Sequence, residues 1–161
     1  MIGDEGAPGE IQVRGPAVFR EYWNAPDVTA QSFIDGWFRT GDVAVIEQGS
    51  YRIQGRSSVD IIKSGGYKLS ALEIEAVLLD HPDVAECAVV GLADETWGEV
   101  VAAALVPRAG AALDAAALGA WAKDRMSPYK TPRRWLVVKK LPRNALGKVT
   151  KPAVRDLFAA G

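Results

Sequence analysis

The chain has 161 residues, of which 48% are apolar and 24% charged, a composition typical of one folded domain or slightly more. Nineteen basic and twenty acidic residues give a net charge of -1, so charge provides no support for a nucleic-acid partner. The single cysteine, Cys87, excludes an internal disulfide, and no cluster of residues offers zinc ligands. We therefore predict neither nucleic-acid binding nor a bound metal.

The sequence also lacks the features of a membrane or exported protein. No uninterrupted apolar run reaches the ~18 residues that a membrane-spanning helix needs. The first ten residues, MIGDEGAPGE, are acidic and rich in glycine, unlike a basic signal peptide. These features predict a soluble cytoplasmic protein without a membrane span. The mitochondrial matrix is the alternative for a native chain that begins with a transit peptide.

The first third of the chain is rich in predicted strands. Residues 10–14 alternate apolar and polar side chains, which predicts a half-buried strand. Residues 26–33 predict a short helix, and the strand-like runs 43–47 and 51–54 flank a glycine-containing hairpin turn. Because these elements form no closed set, we predict that residues 1–54 are the β-rich end of a larger domain.

Residues 55–161 predict a second, compact α+β domain with short sheets and about three helices. A capping box at Ser70 and Glu73 begins the first helix, which His81-Pro82 ends. The predicted element order is ββαββαβα. The other strands and helices are expected at 59–63, 84–92, 99–106, 113–126, 134–139 and 151–159.

Three segments carry more glycine, charge and hydroxyl than packing requires. In the first, Gly36 to Asp42, an aspartate follows a glycine beside aromatic residues. A carboxylate held this way can accept two hydrogen bonds from a diol such as ribose. The alternative is a turn aspartate that caps its own backbone.

The second segment, Gly55 to Lys68, contains the turn Ser64-Gly65-Gly66. Glycines permit positive φ angles and leave bare backbone that a ligand can approach closely. Arg56, Lys63 and Lys68 supply hydrogen-bond donors on either side. The alternative is an ordinary hairpin with solvated charges.

The third segment, Pro142 to Val149, places Lys148 directly after Gly147. It is not a phosphate-binding P-loop, because proline stands where that motif needs its first glycine. Valine also stands where the motif needs serine or threonine. An exposed loop lysine is the alternative interpretation.

In this order, the motifs resemble the C-terminal third of the AMP-forming acyl-CoA synthetases, whose superfamily includes firefly luciferase and peptide-synthetase adenylation domains. The matching stretches are Gly9-Glu-Ile-Gln-Val-Arg-Gly15-Pro16, Tyr22-Trp-Asn24, Gly36-Trp-Phe-Arg-Thr-Gly-Asp42, Gly55-Arg56, Lys63-Ser-Gly-Gly-Tyr67, Leu72-Glu-Ile-Glu75, His81-Pro82 and Pro142-Arg-Asn-Ala-Leu-Gly-Lys148. Within the family, residues 60–73 and 122–129 are most similar to malonyl-CoA synthetases.

The resemblance implies a ligase that uses ATP with Mg²⁺ and coenzyme A as substrates. A carboxylate, such as malonate or another short acid, reacts with ATP to give an acyl-adenylate, and the CoA thiol then displaces AMP. The resemblance also implies an upstream large domain in the same polypeptide, so the chain alone is expected to be inactive. The alternative is a non-catalytic stand-alone domain that binds a separate adenylation domain or a carrier protein.

The resemblance assigns roles to three of the candidate residues. The position of Asp42 binds the ribose hydroxyls, and that of Arg56 contacts the nucleotide. The position of Lys148 bridges the α-phosphate and the attacking carboxylate, where an ammonium offsets the negative charge of two anions.

The resemblance further implies that residues 55–161 form a mobile domain that rotates after adenylation. The rotation presents the loop with Gly65 and Gly66 to the pantetheine arm of CoA, with Lys63 and Lys68 as charged neighbours.

The hinge of this rotation usually lies two residues after the family arginine. One inserted residue between Arg56 and Gly66 leaves Ser58 and Val59 as the two candidates.

Overall fold

The computed structural model of the chain describes residues 5–159, which group into two compact units that divide between Ser58 and Val59. The boundary predicted at Gly55 lies slightly earlier. The reason is that Gly55 and Arg56 still belong to a strand, opposite Val43 and Asp42.

The first unit is a four-stranded antiparallel sheet with one short helix. Its elements are β1 (Gly9–Val13), α1 (Pro26–Ser32), β2 (Phe33–Ile34), β3 (Trp37–Glu47) and β4 (Ser50–Arg56). β3 is the central strand and pairs with β1, β2 and β4. The predicted hairpin and short helix are confirmed, but β3 starts earlier than expected because residues 37–42 extend the strand instead of forming a loop.

Apolar side chains of the first unit lie in two places. Phe19 makes edge-to-face contacts with Tyr22, Phe33 and Phe38, with ring centroids 4.9 to 5.7 Å apart. A separate concavity of about 480 Å³ is lined by Ala7, Gly9, Glu10, Ile11, Gln12, Trp37, Ala44, Ile46, Tyr51 and Ile53. Tyr51 and Ile53 are each 59% exposed, so this face of the sheet is open to solvent.

The second unit has the predicted order ββαββαβα and is an α+β fold. Its elements are β5 (Ile61–Ser64), β6 (Tyr67–Ser70), α2 (Ala71–Leu79), β7 (Val84–Asp94), β8 (Gly98–Pro107), α3 (Ala115–Lys123), β9 (Arg134–Val137) and α4 (Lys151–Ala159). The sheet order is β6-β5-β8-β7, with β9 parallel to β8. The predicted order has two strands before the first helix, but a range was predicted for only one of them, 59–63; the other is β6.

Both faces of the second sheet are buried, which explains the continuous apolar sequence of β8. Val101 and Ala103 pack in the cluster that includes α2 and α3. Ala102 and Ala104, which alternate with them, pack in the cluster that includes Val154 of α4. Successive strand residues point to opposite faces, so one strand serves both layers.

The serine half of the predicted capping box of α2 is present. The Ser70 hydroxyl oxygen accepts a hydrogen bond from the Glu73 backbone N–H at 3.1 Å. The Glu73 carboxylate also accepts a hydrogen bond from the Lys130 ammonium at 2.6 Å. Glu73 therefore ties the start of α2 to the segment that follows α3.

A buried ion pair at the edge strand β7 joins the helices on both faces of the sheet. The backbone N–H of Val89 donates to Glu75 of α2 at 2.7 Å, and its carbonyl accepts from Lys151 of α4 at 2.7 Å. Glu75 and Lys151 form an ion pair, with Asp60 3.7 Å from the Lys151 ammonium. Their side chains are only 12% to 14% exposed.

Cys87 is half-buried next to this ion pair and lies in the apolar core. Burial raises the pKa of its thiol well above the usual range, and the neighbouring Glu75 carboxylate acts in the same direction. The side chain is therefore a neutral, apolar group, in agreement with the absence of a disulfide partner.

Replacing Lys151 with methionine is expected to destabilise the chain by roughly 3–5 kcal/mol, because Glu75 is left as a buried charge without its cation. Urea unfolding of the variant and the wild type would measure the loss. The matched control is Lys139→Met at an exposed lysine, where a change within about 0.5 kcal/mol is expected. Equal losses in the two variants would contradict the structural role of the pair.

Candidate functional site

Asp42 lies in a bulge at the centre of β3. The β1–β3 register shifts between Glu10 and Gln12, and Gly41 has φ +77°. The Glu10 carboxylate accepts the Gly41 N–H at 3.2 Å, and the Thr40 hydroxyl accepts the Asp42 N–H at 3.1 Å. The bulge changes the direction in which the following side chains point. Because Thr40 caps this backbone, the Asp42 carboxylate is not needed for that purpose.

The structure brings Asp42 and Arg56 together on neighbouring strands. They are opposite each other in the β3–β4 register, with Arg56 Nε 3.2 Å from Asp42 Oδ1. The Arg56 side chain is 63% exposed and that of Asp42 32%. This arrangement places carboxylate acceptors beside guanidinium donors at the surface, a combination that fits hydroxyl groups next to an anionic group.

Gly65 and Gly66 form the two-residue turn between β5 and β6, with φ angles of +56° and +83°. Positive φ at both positions is the geometry that favours glycine in tight hairpins. The Gly65 N–H donates to the Trp97 carbonyl at 2.9 Å. A Cβ added at Gly65 would lie 2.8 Å from Trp97 Cε3, whereas one at Gly66 meets nothing within 4 Å. Gly65 is thus packed against Trp97, whereas Gly66 has free space where a side chain would be.

Charged and aromatic side chains flank this turn. Lys63 and Lys68 lie opposite each other on β5 and β6, and both are exposed. Tyr67, the next residue along from Gly66, stacks on Tyr129 with ring centroids 4.8 Å apart and an interplanar angle of 12°. The turn therefore presents bare backbone between two lysines and an aromatic pair.

Trp97 supports the glycine turn from a distant part of the chain. Its backbone N–H donates to Asp94 Oδ1 at 2.9 Å, and the Arg133 guanidinium lies 4.3 Å from the centroid of its ring. The contact with Gly65 depends on the pairing of Ser64 with Gly98. No local sequence pattern indicates that pairing.

Lys148 is exposed at the end of a tight loop that follows β9. Gly147 has φ +80°, and its N–H donates to the Asn144 carbonyl at 2.9 Å. Within residues 5–159, the Lys148 ammonium has no hydrogen-bond or ion-pair partner. The loop thus carries an ammonium that is available to a ligand.

The Lys148 loop and the glycine turn lie at opposite ends of the β7–β8 hairpin. Arg143 of the loop pairs with Glu86, which is opposite Val106. The glycine turn instead contacts Trp97, at the β7–β8 connection. Eight strand steps separate residues 86 and 94, which corresponds to roughly 25 Å.

The predicted site residues are divided between the two units. Ser58 and Val59, the two hinge candidates, flank the point where the units divide. Asp42 and Arg56 belong to the first unit, while Lys148 and the glycine turn belong to the second.

Residues 73–148 match the family model of the AMP-binding enzyme C-terminal domain. Residues 73–148 belong to this domain family. This membership confirms the resemblance drawn from the motifs.

Similarity to known CoA ligases extends over nearly the whole chain. The mitochondrial malonate–CoA ligase of Homo sapiens is 50% identical over 94% of this chain and 27% of the relative. The malonate–CoA ligase of Arabidopsis thaliana is 49% identical, also over 94% of this chain and 27% of the relative. ATP-bound MatB from Rhodopseudomonas palustris is 36% identical with a TM-score of 0.87, over 96% of this chain and 31% of that one. The chain thus corresponds to the C-terminal part of longer relatives.

The described part of the chain contains neither a metal-binding cluster nor a membrane-spanning helix. No group of three or more histidine, cysteine, aspartate or glutamate side chains within residues 5–159 is placed to hold a metal ion. Every helix in that part of the chain falls short of the length and apolar character needed to cross a membrane.

Gly65→Ala is expected to destabilise the chain more than Gly66→Ala. Both substitutions place a Cβ at positive φ, which costs roughly 1–2 kcal/mol, but only Gly65→Ala also forces Trp97 to move. The additional loss expected from overpacking is about 1–3 kcal/mol. Chemical denaturation of the two variants would measure the difference. Equal stability of the two would show that Trp97 does not hold the turn.

Proposed function

We propose that the chain is the C-terminal part of an AMP-forming carboxylate–CoA ligase. The observation that carries this proposal is the identity of about 50% to malonate–CoA ligases from an animal and a plant. The reaction converts a carboxylic acid, ATP and CoA into an acyl-CoA, AMP and pyrophosphate through an acyl-adenylate. Malonate, or another short acid, is the proposed acyl substrate on the same similarity, and ATP with Mg²⁺ enters as a substrate.

Asp42 and Arg56 are the proposed nucleotide-binding pair. The Asp42 carboxylate accepts hydrogen bonds from the ribose hydroxyls, and the Arg56 guanidinium donates to the nucleotide beside it. The support for this assignment is their salt bridge at 3.2 Å on an exposed strand pair. It holds the acceptor and the donor in one orientation before the ligand binds.

Lys148 is the proposed catalytic residue of the adenylation step. Its ammonium bridges the α-phosphate and the substrate carboxylate, and so lowers the repulsion between two anions that must meet. A preorganised cation at the point where negative charge accumulates is among the strongest sources of rate acceleration. The exposure of Lys148 supports this role.

The glycine turn is the proposed contact for the pantetheine arm of CoA. The open space at Gly66 supports close approach of a thin ligand, because no Cβ protrudes there. Gly65 shapes the turn, and Lys63 and Lys68 are its charged neighbours. Thioester formation would thus use a different end of the β7–β8 hairpin from adenylation.

Rotation of the second unit is the proposed way to bring first Lys148 and then the glycine turn to the reacting centre. A separation of roughly 25 Å along paired strands prevents Lys148 and the glycine turn from serving one reacting centre together. Each must therefore be presented in turn, about a hinge at Ser58 or Val59.

An upstream large domain of the same polypeptide is the proposed partner of the first unit. The open apolar face around Tyr51 and Ile53 supports this, because exposed apolar patches commonly mark interaction surfaces. We place the ligase in the cytoplasm or the mitochondrial matrix, and the human relative, named as mitochondrial, supports the second location.

The 161-residue chain alone is expected to release no AMP from ATP in the presence of malonate and CoA, because the proposed active sites need the upstream domain. Chromatographic detection of AMP with the purified chain would test this, with the longer protein as a positive control. Turnover by the chain alone would contradict the proposal.

Lys148→Ala in the longer protein is expected to slow adenylation by roughly 100- to 1000-fold, because one preorganised charge is lost. Thioester formation from pre-made malonyl-adenylate should change no more than a few-fold. Pyrophosphate release and malonyl-CoA formation would measure the two half-reactions separately.

The matched control is Lys140→Ala, which removes another exposed lysine near the same loop and should leave both half-reactions unchanged. Equal loss of both half-reactions in Lys148→Ala would contradict the assigned role. If the chain were instead a stand-alone binding module, the alternative function, Lys148→Ala would leave both half-reactions of its partner enzyme unchanged.

A further inference from the structure

The peptide groups on both sides of Lys148 are held by two neighbouring residues. Asn144 Oδ1 accepts the Lys148 N–H at 3.0 Å, and the Asn144 N–H donates to the Lys148 carbonyl at 2.9 Å. Arg143 Nη1 donates to the Gly147 carbonyl at 2.8 Å. The peptide bond between Gly147 and Lys148 is thus bound through its carbonyl on one side and its N–H on the other.

Arg143 also connects this loop to the sheet. Its second terminal nitrogen, Nη2, forms an ion pair with Glu86 of β7, while Nη1 holds Gly147. A guanidinium can bind two acceptors in fixed directions because its donors form a rigid planar fork. Glu86, Arg143 and Gly147 therefore form a continuous link from the sheet to the residue that precedes Lys148.

These contacts are more numerous than a solvent-exposed turn needs. The turn is already closed by the Gly147 N–H bond to the Asn144 carbonyl and by a bridge between Arg143 and Val149. The side-chain contacts of Asn144 and Arg143 add restraint at one place, the backbone from which the Lys148 side chain departs.

We propose that Arg143 and Asn144 are positioning residues for Lys148, with Glu86 as the anchor of Arg143. The inference rests on the proposed role of Lys148 in adenylation. A lysine has a long, flexible side chain, so the direction of its backbone determines the volume that the ammonium can reach. Reacting groups lose much of their advantage when displaced by about 1 Å, so a fixed backbone favours the reaction.

Positioning and mere structural support predict different results. The side chains of Arg143 and Glu86 are 45% and 39% exposed, and surface ion pairs contribute little to global stability. Loss of this pair should therefore leave the melting temperature almost unchanged. The effect should appear in the step that uses Lys148.

The first experiment compares Asn144→Ala with Asn144→Asp in the longer protein. The aspartate keeps the side-chain acceptor and the alanine removes it. We expect Asn144→Ala and Arg143→Gln to lower the kcat of adenylation by roughly 10- to 100-fold, with little change in the KM for ATP. Asn144→Asp should stay within a few-fold of wild type, and thioester formation from malonyl-adenylate should be nearly unaffected in all three variants.

A double-mutant cycle tests the anchor. Glu86→Gln should slow adenylation, and adding it to Arg143→Gln should cause little further loss, because both changes break one link. Fully additive losses would overturn the role of Glu86. Equal slowing of both half-reactions, or a lower melting temperature that accounts for the loss, would overturn the positioning role of Arg143 and Asn144.

A second measurement does not depend on activity. Amide hydrogen exchange of Lys148, followed by NMR in the 161-residue chain, should be slow in wild type and at least about tenfold faster in Asn144→Ala. Equal exchange rates would overturn the proposed restraint.

The proposed function and this inference fail in different ways. Unchanged adenylation in Lys148→Ala would refute the catalytic role itself. Strong loss in Lys148→Ala with none in Asn144→Ala and Arg143→Gln would refute only the positioning role.

Discussion

The buried pair of Glu75 and Lys151 is the interaction on which the arrangement of the second unit depends. β7 is an edge strand, so the N–H and C=O of Val89 have no partner strand on their outer side. Glu75 reaches this edge from α2 and Lys151 from α4, and together they satisfy both groups. The two helices pack in clusters on opposite faces of the sheet. A complete set of partners compensates for the cost of burying the charges, and it fixes the start of α4, the helix that directly follows the Lys148 loop.

The same edge aligns the rest of α4. Arg155, one helical turn after Lys151, donates to the Gly91 carbonyl at 3.2 Å, two strand residues after Val89. Four helical residues rise about 6 Å and two strand residues about 6.8 Å, so the two spacings match. The helix therefore lies along the strand and covers polar groups that would otherwise be free to pair with another chain. Packing of Val154 against the sheet adds the apolar contribution. The polar contacts with the edge of β7 thus determine the direction of α4, and the packing of Val154 determines how closely the helix approaches the sheet.

The parts of the fold that could be predicted are those encoded locally. The apolar runs of β7 and β8, and the Ser70 cap of α2, follow from neighbouring residues. The strand character of residues 37–42 could not be predicted, because Gly36 and Gly41 indicate turns until a partner strand supplies the pairing. At the site, the residue types identified Lys148 and the glycine turn as candidates. Their supports, Trp97 and Glu86, are distant in sequence from what they hold, and no periodicity reveals such contacts.

The β7–β8 hairpin explains why one small unit can carry two chemical roles in the proposed reaction. Its strands pair continuously from Glu86 to Asp94, which makes the distance between its ends nearly invariant. The Lys148 loop is tied to one end by Arg143, and the glycine turn to the other by Trp97. Local loop motion cannot move either element across roughly 25 Å of paired strand. The proposed exchange between the two roles therefore requires a motion of the whole unit. In that proposal, a rigid hairpin converts a small change of backbone angles at the hinge into a large displacement at both ends.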